Sequence, residues 1–363
     1  KMVVYWLFFL FPAILALSGK ARIPHRISKY QSLSIGGLWW VCILALTILI
    51  GLRHEVGGDW ENYIRIFSGS DSINSLSEIH FSRDPGYQLI NYISAIFGFG
   101  IYGVNLFCAF IFSIGLSLFC RNLPRPLLAL AVAFPYLIIV VSMGYSRQAV
   151  ALGVAMIGLV FLGRGKKYSF VFWIFIATTL HKSAILLLPI AILAATKNKF
   201  LGFFWICVIS IAFYFVFLAE TIAVLYGNYT NLDDMASQSE GALVRLAMNV
   251  VPAGIFLLFY KRFKLPKLEK PMWRLLSIIS ILLIIILLLT PFSSAIDRIA
   301  LYMIPLQMVV FSYLPDIFGK KNALHRWIMV LIISYYSLVL FVWLNFATHS
   351  HYWLPYQNLL FTW

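Results

Sequence analysis

Long apolar stretches alternate with short polar ones along the whole chain. Twelve apolar runs can be marked, over roughly residues 2–17, 33–50, 101–120, 127–143, 147–162, 168–180, 183–196, 200–219, 243–260, 272–290, 299–315 and 327–346. Such runs predict membrane-crossing helices, although several fall short of the ~20 residues that a straight span asks for. The first, Met2 to Leu17, lacks a small-residue cleavage pattern and reads as a retained span. Between the second and third runs the pattern changes. Gly57-Gly58 permits a turn through positive φ, and Asp59 can cap a short helix with Trp60, Tyr63, Ile64 and Phe67 on one face. Asp84-Pro85 opens another helix, Gly86 to Ile96, which is too short to span and ends at Gly98-Phe99-Gly100. This outer segment, 51–100, therefore predicts interfacial or re-entrant helices.

Composition agrees with the pattern. The chain is 62% hydrophobic, 17% aromatic and only 11% charged, where a soluble domain carries about 25% charged residues. The expectation is an all-α polytopic integral membrane protein, one membrane domain over 1–363 with about twelve transmembrane helices. Cys42, Cys108, Cys120 and Cys207 all lie in apolar runs and read as packing residues, not as a disulfide or metal set.

A net charge of +15 would suit nucleic acid, but its distribution points to topology instead. Twenty of the 28 basic residues fall in alternate linkers: 20–29, Arg121 and Arg125, 164–167, Lys197 and Lys199, 261–274 and 320–326. Only Glu269 and Asp316 accompany them as acids. The positive-inside rule makes these linkers cytoplasmic and places both ends of the chain on the outer side. The outer linkers hold the other eleven acids and, besides Lys1, only Arg53, Arg65, Arg83, Arg147, Lys182, Arg245 and Arg298 as bases. Cations that defy the orientation bias need a reason, and binding an anion is a good one.

Arg53, Arg147 and Arg298 each stand at the start or end of a different span on that outer side. Arginine stays charged and donates bidentate hydrogen bonds, so several converging on one cavity would suit a diphosphate. Asp59, Glu55 and His181 are the candidate general bases: imidazole titrates near neutrality, and burial can tune a carboxylate upward. Metal chemistry finds no Asp-x-Asp, no His-Glu-x-x-His and no Cys pair at ligand spacing, and no phosphate-binding glycine loop ends in Lys-Ser or Lys-Thr. The outer segment 220–242, rich in Gly, Asn and Ser, reads as a lid over the cavity. His349 to Tyr356 is aromatic and reads as an interfacial segment. Arg298 and Tyr302, four residues apart, are expected on one helix face.

Arg53-His-Glu-Val-Gly-Gly-Asp59-Trp-Glu-Asn-Tyr63 resembles the Arg-x-x-x-Gly-x-Asp-x-x-x-Tyr signature of EpsG-type bacterial polysaccharide polymerases, relatives of the Wzy O-antigen polymerases. The match continues through Asp84-Pro-Gly-Tyr, Ser146-Arg147-Gln148, His181-Lys182-Ser183-Ala184, Asp297-Arg298-Ile-Ala-Leu-Tyr302 and Leu354-Pro-Tyr356. One departure is Gly58, where the family often has a small hydroxyl residue. The resemblance implies a GT-C-like enzyme of the bacterial inner membrane, with its active site facing the periplasm. It would join undecaprenyl-diphosphate-linked repeat units without metal or other cofactor, in O-antigen or capsule synthesis. Arg53, Arg147 and Arg298 would hold the donor diphosphate, and Asp59 or His181, with Glu55 a third candidate, would activate the acceptor hydroxyl. Tyr63, Tyr302, Arg83, Lys182 and Asp297 would contact the sugars. Implied partners are the lipid-linked donor and acceptor, membrane lipids, a chain-length regulator and a flippase, with no nucleic acid. The rival readings are an O-antigen ligase-like transferase, a lipid-linked oligosaccharide flippase or other transporter, and a membrane acyltransferase.

Overall fold

The computed structural model describes residues 2–18, 35–71, 84–189, 204, 241–267, 269–289, 293–319 and 322–361. The expected span at 200–219, the lid at 220–242, the basic linkers at 20–29 and 197–199, Cys207 and Arg83 fall outside the described residues, apart from Phe204, Gly241 and Ala242.

The described residues are helical, with no strand among them beyond an isolated antiparallel bridge between Arg53 and Asn358. Among the described residues six helices are long and apolar enough to cross a membrane: Gly100–Arg121, Pro126–Gly144, Ser146–Gly163, Glu269–Leu289, Ile296–Phe318 and Ala323–Phe346. Val3–Ser18, Gly37–Gly51, Lys167–Leu180 and Ala242–Leu258 are apolar but shorter. Each of these ten corresponds to a run marked in the sequence. The apolar run at 183–196 enters the described residues only as the tight turn Lys182–Leu186 and the residues just after it.

Contacts divide the chain into two compact units, Lys1–His181 with Met308–Trp363, and Lys182–Gln307. In the first, α1 (Val3–Ser18), α2 (Gly37–Gly51), α3 (Trp60–Asp71), α4 (Pro85–Ile96), α5 (Gly100–Arg121), α6 (Pro126–Gly144), α7 (Ser146–Gly163) and α8 (Lys167–Leu180) follow one another. Small residues let α5 and α7 touch backbone to backbone. A Cβ on Gly115 would stand 2.0 Å from the Gly153 carbonyl oxygen, and one on Gly153 would stand 2.6 Å from Phe112 Cα. This is how apolar helices associate where hydrophobic burial discriminates poorly. Helix α6 is almost wholly enclosed. Over Phe134–Val141 it widens to π geometry beside Pro135, and Ser142 Oγ donates to the Ile138 carbonyl. Proline withdraws an N–H from the ladder, which gives that widening a local cause.

The interruption between α6 and α7 falls at Tyr145 (φ −126°, ψ 63°), so Arg147 enters the first turn of α7. Arg125, which leads into α6, forks onto Asp316 at 2.7 and 2.9 Å. One of the two acids in the otherwise basic linkers is thereby neutralised.

The second unit holds α9 (Ala242–Leu258), α10 (Glu269–Leu289) and α11 (Ser293–Ala300), the last tightening into a 3-10 turn, Leu301–Met303. Helix α12 (Ile304–Phe318) follows, and α13 (Asn322–Phe346) belongs to the first unit.

Candidate active site

The signature loop leaves α2 at Gly51. Gly57 lies at φ 109°, and a Cβ there would stand 2.2 Å from the Met143 carbonyl oxygen, so glycine is required on two counts. Glu55 also takes a left-handed turn, at φ 52°, with its side chain 63% exposed. Asp59, half-buried, immediately precedes α3.

Arg53 forms the base of this loop and is 1% exposed. Its Nη1 donates to the Ile50 carbonyl (2.7 Å) and Nε to the Val56 carbonyl (3.1 Å). Nη2 donates to Ser146 Oγ (2.7 Å) and Asn105 Oδ1 (3.3 Å). Burial pushes the guanidinium below its ordinary range, against the fields of Tyr63, Tyr87, Cys108 and Tyr356. These bonds tie the signature loop to the first turn of α7, next to Arg147.

The expected interfacial segment, His349 to Tyr356, is with the residues just after it in large part an internal brace. Trp353 is buried, and its Nε1 donates to the Ile139 carbonyl (3.0 Å) inside the π-widened part of α6. The Tyr5 hydroxyl donates to the Trp353 carbonyl (2.9 Å), and the Tyr356 hydroxyl to the Leu49 carbonyl (2.8 Å). Backbone bonds from Gly57 to Tyr352, from His54 to Gln357 and from Leu359 to Leu52 stitch it to both sides of Arg53. Hydrophobicity alone did not separate a braced aromatic segment from an interfacial one.

The cluster with the richest chemistry lies where α4, α7 and α8 meet. Asp84 occupies the N-cap position of α4, with Pro85 behind it as expected, but its carboxylate makes no capping hydrogen bond. Its Oδ2 instead stands 3.2 Å from Arg147 Nη1 and 3.3 Å from His181 Nδ1. The carboxylate is 8% exposed, whereas the Arg147 side chain is 34% exposed and the His181 side chain 18%. Gly86 makes the approach possible, because a Cβ there would stand 2.6 Å from Thr179 Oγ1. His181 follows α8 in extended conformation (φ −157°, ψ 120°), which takes its ring out of the helical row.

Tyr63 and Tyr87 back the Arg147 guanidinium, each ring centroid 5.9 Å from its carbon. The Arg147 backbone N–H donates to the Tyr63 hydroxyl (3.3 Å). Burial pushes the Tyr63 phenol up to about 12 and Tyr87 well above its ordinary value, so both stay neutral at physiological pH. Tyr63 is 3% exposed. Its surface is spent on Arg147 and Tyr87.

In the second unit, Asp297 is buried and forked by Arg245 at 2.8 Å on each oxygen. Arg298, its neighbour, is exposed. Tyr302 is 1% exposed and accepts from Ser183 Oγ at 3.2 Å. The expected shared face of Arg298 and Tyr302 is not kept: the tighter turn after Ala300 carries Tyr302 inward while Arg298 stays out. Asn249 donates to the Ala300 carbonyl (2.9 Å) and accepts from Gln307 (2.7 Å), fixing that turn. Lys182 is half-buried at the head of its 3-10 turn.

Within the first unit the structure thus gathers Arg147, His181 and Tyr63 around Asp84, and holds Arg53 beneath the loop that carries Glu55 and Asp59. Asp84 was not among the residues singled out for chemistry. Its Asp-Pro-Gly context also spells a helix start, which accounts for an acid at that position without any partner for its charge. No group of three metal-ligating side chains occurs among the described residues.

The arrangement could meet an anion and accept a proton. Arg147 offers partly exposed positive charge on an aromatic backing. Asp84 favours the His181 tautomer protonated at Nδ1, which leaves Nε2 as the proton acceptor. The family model described as the EpsG family matches residues 36–358. No curated protein and no solved structure matches the chain.

Proposed function

The chain belongs to the EpsG family of Wzy-type polymerases, and from that premise we propose that it joins lipid-diphosphate-linked oligosaccharide repeat units at the outer face of the bacterial inner membrane. The observation that carries the proposal is the sharing of one buried carboxylate, Asp84, by a partly exposed arginine and a histidine.

In the proposed reaction the acceptor hydroxyl gives its proton to His181 Nε2 as its oxygen bonds to the donor's anomeric carbon. The bond from that carbon to the diphosphate breaks, and the diphosphate leaves with the electron pair. Arg147 stabilises the developing negative charge, an interaction stronger in the transition state than in the ground state. Diphosphate is a competent leaving group once its charge is met, so the proposed route asks for no metal. Arg53, whose donors are engaged by the protein, enters as the residue that positions the loop and α7. Asp59 and Glu55, on that loop, are assigned to acceptor hydroxyls. In the second unit we assign anion binding to exposed Arg298, with Asp297 and Tyr302 fixing its turn and Lys182 as a further sugar contact.

The test is turnover by purified protein in detergent, supplied with lipid-linked repeat units and a chelator. A ladder spaced by one repeat, lost in Arg147→Ala and His181→Ala, is the expected product. A wild type that yields no ladder but carries labelled lipid across a proteoliposome membrane would make this a transporter. Transfer of single units to a different acceptor would make it a ligase.

A further inference from the structure

The sugar-stacking role that the resemblance implies for Tyr63 and Tyr302 meets an obstacle: they are 3% and 1% exposed and present no open ring face. A different tyrosine is exposed. Tyr352 is 46% exposed, although the residue after it, Trp353, is buried. Its ring centroid lies 4.0 Å from that of His351, and His349 stacks on it at 6.2 Å with planes 17° apart. Both histidines are themselves exposed.

An exposed aromatic ring is commonly mobile. The backbone that carries this one is held on both sides, since the Gly57 N–H donates to the Tyr352 carbonyl (2.9 Å) and the Trp353 indole is anchored in α6. The place where it is held is also informative. The position a Cβ of Gly58 would take is 3.9 Å from Tyr352 Cδ2, and Asp59 is the next residue. Glu55, exposed and turned by its positive φ, lies two residues before Gly57. Exposed aromatic surface with two imidazoles, on a segment that packs against an acidic loop, is a composition that suits a pyranose: the rings cover the C–H face, and polar groups bond the hydroxyls at its rim.

We propose that Tyr352, flanked by His349 and His351 and facing the Glu55–Asp59 loop, is a carbohydrate platform that seats a sugar ring of the incoming repeat unit. The site deepens the polymerase reading and rests on it for the identity of the sugar. Phenol and imidazoles supply the surface, the carboxylates supply selectivity among hydroxyl patterns, and the brace through Trp353 removes the ordering cost that a free tyrosine would pay.

The probe is the soluble repeat-unit oligosaccharide, released from its lipid by mild acid. Saturation-transfer NMR on the purified wild-type protein should show transfer to sugar protons. Tyr352→Ala should weaken the interaction about tenfold, and Tyr352→Phe, which keeps the ring, should restore it. In turnover assays Tyr352→Ala should raise the KM for lipid-linked acceptor and largely spare kcat, with thermal melting as the control for folding. No transfer to the wild type, or equal transfer to wild type and a folded Tyr352→Ala variant, overturns the platform while a product ladder still upholds the polymerase. Tyr352-dependent sugar binding with no ladder upholds the platform and removes the polymerase reading.

Discussion

Asp84 carries the most consequence for a single atom, because one of its oxygens meets two side chains to which the proposed reaction gives opposite duties. Asp84→Asn keeps the shape and removes the charge. We expect kcat to fall by about 10²–10⁴-fold, in the range of a disabled general base, with a smaller change in KM. Steady-state kinetics across pH will separate this from a folding defect. Tyr63 gives a complementary test. Burial holds its phenol neutral up to about 12, so Tyr63→Phe removes one weak acceptor and no titrating group. Its pH–rate profile should match the wild type below pH 10, and an inflection that vanished would assign Tyr63 to proton transfer. Two adjacent glycines should behave oppositely. Gly57→Ala forces a side chain into left-handed backbone against the Met143 carbonyl and should lower the melting temperature sharply. Gly58→Ser places its Cβ 3.8 Å from Trp353, an ordinary contact, and should be tolerated. The small hydroxyl residue that the resemblance leads one to expect at this position would therefore fit.

Among elements, α4 shows how a short helix can be easy to locate and hard to interpret. Pro85 and Gly98 marked its ends in the sequence, and it runs Pro85–Ile96 as expected. That Gly86 lets it close on Thr179 was not legible, because an approach across ninety residues leaves no trace in local pattern. The apolar runs were legible throughout the described helices, since burial in lipid or protein demands continuous hydrophobicity and polar breaks are few. Register inside them was not. Apolar residues surround each helix, so nothing in the pattern marks Gly115 and Gly153 as the α5–α7 contact. Gly153→Leu should part these helices and drop the yield of folded protein, as fluorescence-detected gel filtration would report. The brace by 349–361 was also hidden, its aromatic content suiting an interface equally well. Trp353→Ala empties its seat in α6 and should cost about 3–5 kcal/mol in stability, measured as thermal melting in detergent.

At the scale of the molecule the distribution of charge is the strongest organising signal. Basic linkers alternate with acidic ones along the sequence, and the fork between Arg125 and Asp316 further reduces free negative charge in the basic set. In the proposed orientation, single cysteines at Glu55 and Lys264, introduced with the native cysteines replaced, should react with an impermeant maleimide from opposite sides of the membrane. Labelling of both from one side would reverse the assignment of a linker and with it the proposed outer site. The long reach of the contacts explains why the site was only partly legible. Arg147 and His181 stood out as polar residues at span ends, but their common partner comes from a third element, and the brace of the signature loop comes from the far side of the sequence.

That last separation also sets a schedule. The strand-like pairing of Arg53 with Asn358 joins a residue made early in synthesis to one made some three hundred residues later. A nascent chain can insert helix after helix while the loop beside Asp59 still lacks its brace, so the braced loop, and on the proposed function its part in the site, has to wait for residues 349–361 to be made.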